Sequence, residues 1–410
     1  MANSFITDDV IAKVVLYNLE NQCVMTDCVY KGHVKEFVKK GASVRIEKPL
    51  MLLATNGKVR SNQDLTEGSI TLTVDQQEHT SFHMSQIDRT LTIKNFNRKY
   101  GRPAGIALAN AADEYLCGMY KQFWISGGTP GTVASTFSAL GDQATLFGDY
   151  AIPDDGDRKF VMAPRMRWAL ADALKGSFDP ALARDTIRKG WLPQVANFEL
   201  REDQNIVRHT TGSRTNTALD CLVKGANQHS NASPQANTQS LIIDDDSGTT
   251  STFLEGDVFT IANVNAVNPV SKLSTGRPQQ FVVRANATAV ASEATLTIAP
   301  AIVTTGPYQN VDAAPADDAG LTFLGAASTV YAQNLAFHMN AIALAVVPIE
   351  LPSSAPAKAR ASSPDGNISL AMVQDFDIDN YDEVTRFDVL FGAIAQYPHT
   401  GSRLWGSSTG

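Results

Sequence analysis

Gly256–Pro269 reads GDVFTIANVNAVNP, and Ser274–Val283 reads STGRPQQFVV. Apolar side chains come in short alternating runs, Val258, Phe259 and Ile261 in the first stretch and Phe281, Val282 and Val283 in the second, each bounded by Gly, Pro or Asn. That is the pattern of strands separated by turns. SLIID (240–244) and ATLTIAP (294–300), with Leu296 and Ile298, repeat it on either side. From about residue 211, Gly, Ser, Thr, Asn and Ala dominate and nothing reads as a helix until residue 334. Short, evenly spaced strands with turn signals predict a small β-barrel or sandwich, and residues 211–333 are of common domain size. This segment holds ten acidic residues against five basic ones, −5 of the chain's −8, and none of the four tryptophans.

Outside the segment the pattern is mixed. Residues 6–20 read as a short amphipathic helix, with Ile11, Val15 and Leu19 four apart and Val10 and Val14 beside them. Residues 42–74 read as two strands flanking a long polar loop. Asn56-Gly57 marks a tight turn, and Ile70, Leu72 and Val74 alternate. Gly101–Phe123, GRPAGIALANAADEYLCGMYKQF, reads as a long alanine-rich helix opened by Pro103. Leu108, Ala112, Tyr115, Met119 and Phe123 form its apolar stripe, and Asn110, Asp113, Glu114, Lys121 and Gln122 fall mainly on the other side. A strand at KFVMAP (159–164) and helices at RMRWALADALKG (165–176) and DPALARDTIRKG (179–190) follow. After the β segment, residues 337–351, 368–378 and 386–398 are strand-like again. The layout is an α+β body interrupted by an all-β insertion.

Composition narrows the function. A chain of 410 residues with 43% hydrophobic and 19% charged residues carries a sizeable core. A net charge of −8 argues against a general nucleic-acid binder, which concentrates Lys and Arg. Cys23, Cys28, Cys117 and Cys221 are too few and scattered for a disulfide framework, which suits a reducing compartment. The N-terminus lacks the basic and apolar regions of a signal peptide. LAFHMNAIALAVVPIEL (335–351) holds His338 and Asn340 and is broken at Pro348, so no membrane span is expected.

Candidate chemistry is thin. Cys23 and Cys28, with His33 nearby, have CxxxxC spacing and no distant partner pair, unlike a zinc site. Asp375, Asp377 and Asp379 occupy positions 1, 3 and 5 of a calcium-loop pattern, but Asn380 and Arg386 stand where glycine and glutamate are required, leaving an acidic turn between two strands. SGGTPGT (126–132) lacks the Lys-Ser/Thr of a phosphate loop. His209 lies near Ser213, with no GxSxG elbow and no evident acid. The basic run Arg98, Lys99 and Arg102 reads as a solvated or subunit-facing surface. No catalytic, cofactor or metal site is expected.

Several stretches in order carry a resemblance: LTIKNFNRKYGRPAGIALAN (91–110), EDQNIVRHTTG (202–212), the two barrel stretches quoted first, NLAFHMNAIALA (334–345) and RFDVLFGAIAQYP (386–398). Across roughly residues 5–400 the chain resembles the major capsid (coat) proteins of tailed bacteriophages, in the branch with an inserted β-barrel, the Salmonella temperate podophage type. It departs most from that type in the loop ANQHSNASPQANTQ (226–239), which is short and weakly charged.

The resemblance implies an N-terminal arm (1–40), an extended hairpin loop (41–80) and a peripheral domain with a spine helix on a β-sheet (81–126 and 367–410). It also implies an axial domain (127–210 and 334–366) and the inserted barrel (211–333). It further implies self-assembly into pentamers and hexamers of an icosahedral shell enclosing double-stranded DNA. A scaffolding protein, docking by analogy near Asp8–Glu20, and a portal protein are the implied partners; the DNA is touched only weakly and no membrane is involved. Assembly is expected in the bacterial host cytoplasm. The expected subunit contacts are Asn56, Gly57, Lys58, Arg60 and Asp64 on the loop and Arg98, Lys99 and Arg102 before the spine helix. The alternatives are an accessory head or tail protein on a related fold, or a ligand-binding β-module fused to an α+β body.

Overall fold

The computed structural model describes residues 8–20, 23–38, 43–60, 62–63, 65, 67–85, 100–174, 194–214, 221–245, 251–353, 357–362, 368–377 and 382–407. The expected helix at 179–190 and the acidic turn around Asp379 lie outside them. The chain divides into two compact units, one of residues 1–46, 71–116 and 342–396, the other of residues 47–70, 117–341 and 397–410.

In the first unit, strands Ile342–Val346, Asp382–Ala395, Ser369–Asp377 and Ala357–Ser362 form an antiparallel sheet, with Gln76–Ser85 paired along Asp382–Ala395. The helix Asp8–Glu20 buries Ala12, Val15, Leu16 and Leu19 and packs on Ala357–Ser362 and Ser369–Asp377.

The spine helix runs from Arg102 to Cys117 and then tightens into a 3-10 turn at Gly118–Gln122, so the α-helix is shorter than its apolar stripe suggests. The change falls at Gly118, a residue of low helix propensity. The buried face also differs from the expected one. Ala104, Leu108, Ala109, Asp113, Leu116 and Cys117 are buried, and Asp113, placed by the pattern on the polar side, is 1% exposed. Its carboxylate accepts the backbone N–H of Val24 at 2.9 Å and of Met25 at 3.1 Å, which makes burial of the charge tolerable.

Small residues in this helix admit another helix. A Cβ on Gly105 would lie 2.9 Å from the carbonyl oxygen of Val15 and 3.2 Å from the Leu19 nitrogen. The close approach is therefore to the N-terminal helix, while Tyr115 meets Phe391 of the sheet edge-on with ring centroids 5.4 Å apart.

The second unit contains a mixed sheet in the order Ile125–Gly127, Gly401–Trp405, Val330–His338, Arg158–Met162, Glu199–Glu202. Helices Phe137–Asp149 and Pro164–Leu174 share its core, with Leu140, Phe147, Phe160, Met166, Leu170 and Phe198 buried together. Thr136 caps the first of these helices by accepting the Ala139 N–H.

From this sheet the chain enters the insertion along Arg208–Thr210 and returns along Val330–His338, and the two strands pair, Thr210 opposite Val330 and Arg208 opposite Ala332. Ser328 N–H donates to Gly212 O at 3.1 Å above them. Beyond this stem lies a six-stranded sheet in the order Leu321–Phe323, Val258–Val267, Ser274–Val283, Glu293–Ala299, Gln239–Asp245, Cys221–Val223. Its first and last strands meet: Leu222 bridges Gly320, and Val223 N–H donates to Ala319 O at 3.0 Å. The sheet thus closes into a barrel. Phe253, Phe259, Phe281, Leu296, Ile298 and Ile302 fill its interior. The fold is an α+β body with an inserted all-β barrel, as the alternating runs suggest.

Candidate assembly surface and barrel junction

Between the paired strands Ser43–Glu47 and Ser69–Thr73, the described residues of 48–68 form an irregular arm. Of the expected contact residues, Asn56, Gly57, Lys58 and Arg60 are all exposed on it. Gly57 takes φ +133°, a backbone geometry that L-side chains seldom adopt, which allows the bend there. Among the described residues, Lys58 and Arg60 make no hydrogen bond or ion pair. The arm also exposes Leu50, Leu52, Val59 and Leu65, Val59 at 88%. Sequence reading picked out the charges here and missed the leucines, because MLLA (51–54) resembles the continuation of a strand. Arg102 is exposed at the start of the spine helix. Asp64, Arg98 and Lys99 lie outside the described residues.

A buried polar cluster sits where the barrel joins the body. Asp257, fully buried, accepts His209 Nε2–H at 2.9 Å, Arg214 Nη1–H at 2.9 Å, Leu254 N–H at 3.0 Å and Gly212 N–H at 3.2 Å. With Nε2–H donated to a carboxylate, neutral His209 presents Nδ1 as an acceptor, and Tyr120 O–H fills it at 3.0 Å. Arg403, fully buried, donates through Nη2 to the Gly256 carbonyl at 2.6 Å, and its guanidinium lies 5.3 Å from the Trp405 ring and 5.7 Å from the Tyr120 ring. Arg214 stacks over Phe323 at 4.3 Å.

Burial holds His209 below its ordinary pKa. The charges of Arg403 and Arg214 add to that effect, against the Asp257 hydrogen bond. Burial raises Asp257, but the His209 hydrogen bond and Arg214 overcome it and keep the carboxyl below its usual range. Burial lowers Arg403 to about 10 and raises Tyr120 to about 12. Asp257 supplies the acid that His209 lacked in the sequence, 48 positions further along the chain. Ser213 is not its partner: that hydroxyl bonds Thr252 Oγ1 at 2.8 Å. With His209, Tyr120 and Asp257 all buried and mutually satisfied, the cluster is a structural joint.

The other candidates resolve similarly. Cys23 and Cys28 are buried and form no disulfide, and burial raises Cys23 to about 12, far from a thiolate. Asp155, Asp157 and His338 bring three ligand-type atoms within 4.8 Å of one another. His338 Nδ1 accepts the Asn340 N–H at 3.2 Å, so in the neutral ring Nε2 carries the proton and donates it to Asp155 at 3.0 Å. That leaves no ring lone pair for an ion, and the group reads as a hydrogen-bonded turn. Among the described residues, no helix is long and apolar enough to cross a membrane.

The family profile described as P22 coat protein, gene protein 5, matches residues 1–406. The chain belongs to the P22 coat protein family. It is a structural protein, the major capsid protein of a tailed phage. No curated protein sequence matches it. Among solved structures, one from Mycobacterium phage Che8 matches with TM-score 0.50 and 13% identity, covering 95% of this chain and 92% of that one. The CUS-3 coat protein I-domain is 31% identical with TM-score 0.21, covering 26% of this chain and 97% of its own. The mature capsid of bacteriophage PhiM1 matches with TM-score 0.45 and 11% identity, covering 89% of this chain and 82% of that one.

Proposed function

We propose that this coat protein builds an icosahedral head shell as pentamers and hexamers, on a scaffolding protein, around DNA that enters through a portal. Its chemistry is association without turnover. The observation that carries this reading is the arm: Leu50, Leu52, Val59 and Leu65 are exposed on the same segment as the exposed Lys58 and Arg60. Such a mixture of apolar and charged side chains suits a surface that a second copy covers. The acidic balance of the chain suits a wall that must not hold its packaged DNA tightly. Residues 1–40, 41–80, 81–126 with 367–410, 127–210 with 334–366, and 211–333 are the proposed arm, extended loop, peripheral, axial and inserted domains. Asp64, Arg98, Lys99 and Arg102 are proposed to join Asn56, Gly57, Lys58 and Arg60 in subunit contacts, with assembly in the host cytoplasm.

The test is expression with and without the phage's own scaffolding protein. Capsomers, tubes or irregular shells are expected from the coat protein alone, and uniform closed particles from the pair. A monodisperse monomer at high concentration in both cases, by analytical sedimentation, rejects the proposal.

A further inference from the structure

The loop 226–239 of the barrel has a partner within its own chain. The loop is itself held firmly. Ser230 N–H donates to Ile302 O at 2.7 Å, Asn231 exchanges hydrogen bonds with Thr304 at 2.8 and 2.9 Å, and Gln239 Oε1 accepts Ile302 N–H at 2.9 Å. Against this fixed loop rest both ends of the arm. At the outgoing end, the Lys48 ammonium donates to the Gln235 carbonyl at 2.7 Å and to Asn237 Oδ1. The Met51 N–H reaches the Tyr308 hydroxyl at 3.3 Å, and Gln235 Nε2 donates to the same hydroxyl at 2.6 Å, joining the two barrel loops under the arm. At the returning end, Lys48 N–H pairs with Gly68 O at 2.9 Å, and a Cβ on Gly68 would stand 2.8 Å from Gln235 Oε1.

We infer that the barrel braces the arm: the loops around Gln235 and Tyr308 fix the direction in which residues 48–68 leave the subunit. A half-buried ammonium that spends its donors on oxygens of one loop is a positional clamp, because each of these hydrogen bonds is directional and charge-assisted. The loop that differs most from the family type is then committed to its own subunit's arm. A neighbouring copy would meet an arm whose angle is already set, which lowers the ordering cost of association. The brace goes beyond the coat-protein reading and is testable without any shell.

Hydrogen exchange followed by mass spectrometry on the unassembled full chain tests it, comparing wild type with Lys48→Met, Tyr308→Phe and Gln235→Ala. Peptides covering 48–55 and 65–70 are expected to exchange faster by about tenfold in Lys48→Met, the scale of one lost charge-assisted hydrogen bond, and by roughly three- to tenfold in the other two variants, which remove neutral hydrogen bonds. Peptides within 239–245 and 258–283 are expected to keep wild-type rates. Unchanged arm exchange in all three variants overturns the brace. Equal acceleration in the barrel peptides also overturns it, since the loops would then be holding the barrel and not the arm. Failure of the protein to form shells would leave this readout intact, so the two readings fail separately.

Discussion

The inserted barrel and the extended arm belong to the same compact unit and use their apolar side chains in opposite ways. In the barrel, Phe253, Phe259 and Phe281 are fully buried inside a sheet that closes on itself. In the arm, Leu52 is 67% and Leu65 60% exposed, and none of the described residues between them lies in a strand. Burying one such side chain contributes about 1.5–3 kcal/mol. The barrel gains that energy on folding, whereas the arm can gain it only against another surface. Stability measurements should therefore report the barrel and overlook the arm, and assembly measurements should do the reverse.

Excising the barrel puts the comparison under the greatest strain. Residues 211–333 expressed alone should be soluble, with strand-type circular dichroism, dispersed amide resonances and a cooperative melt. Random-coil dispersion would mean that the barrel, like the arm, depends on its surroundings. Next in size is Asp257→Asn in the full chain. Loss of the carboxylate charge beside Arg214, Arg403 and His209 should cost about 1.5–3 kcal/mol by denaturant titration, the range for hydrogen bonds to charged groups. A change within error would remove the joint from the stability of the subunit.

The pH dependence should be smaller. His209 has a folded-state pKa below its unfolded value of about 6.5. The unfolded chain therefore binds more protons just below pH 6.5, and stability is full above that pH and falls as pH drops through it. The groups facing His209 are Tyr120, Asp257, Arg214 and Arg403, so its protonation adds a second uncompensated positive charge to the joint. His399, lowered to about 4 by burial and then by Lys48, adds a slope of the same sign. His209→Gln should flatten the loss of melting temperature between pH 7 and pH 5 without abolishing it, and an unchanged slope would clear His209 of the effect. The smallest effect on the monomer is expected from Lys58→Glu with Arg60→Glu: roughly 0–1 kcal/mol in folding, with clearly impaired shell formation by electron microscopy. Destabilised monomers that assemble normally would reverse the assignment of the arm.

Legibility followed the range of the interactions. Val258, Phe259 and Ile261 declare a strand because the pleat is local, and Val15 and Leu19, four apart, declare a helix face for the same reason. Barrel closure depends on Leu222 meeting Gly320 across almost the whole insertion, and no local pattern encodes that. Asp257 carries no mark in the sequence beyond its place between Gly256 and a strand, and only the fold brings Arg214 and His209 to it. The helical period places Asp113 on the polar side, while it is held by backbone N–H groups near residue 24 that have no sequence signature. On the arm, the Asn-Gly turn and the two cations were readable. The anchoring of Lys48 on Gln235 was not, because a lysine seeking carbonyl oxygens looks like any surface lysine.

Arg403 belongs to the body, in the strand that ends the chain, yet the carbonyl it needs comes from Gly256 in the barrel. Cutting the barrel out at its stem would therefore leave the body with a guanidinium stranded in its interior, although the two cut ends already lie a hydrogen bond apart. Gain and loss of this insertion are not mirror images. A lineage that shed the barrel would have to replace Arg403, and with it His209 and Tyr120, by side chains content with each other. Related capsid subunits without the insertion should carry apolar residues at these three places, a pattern to look for in their sequences.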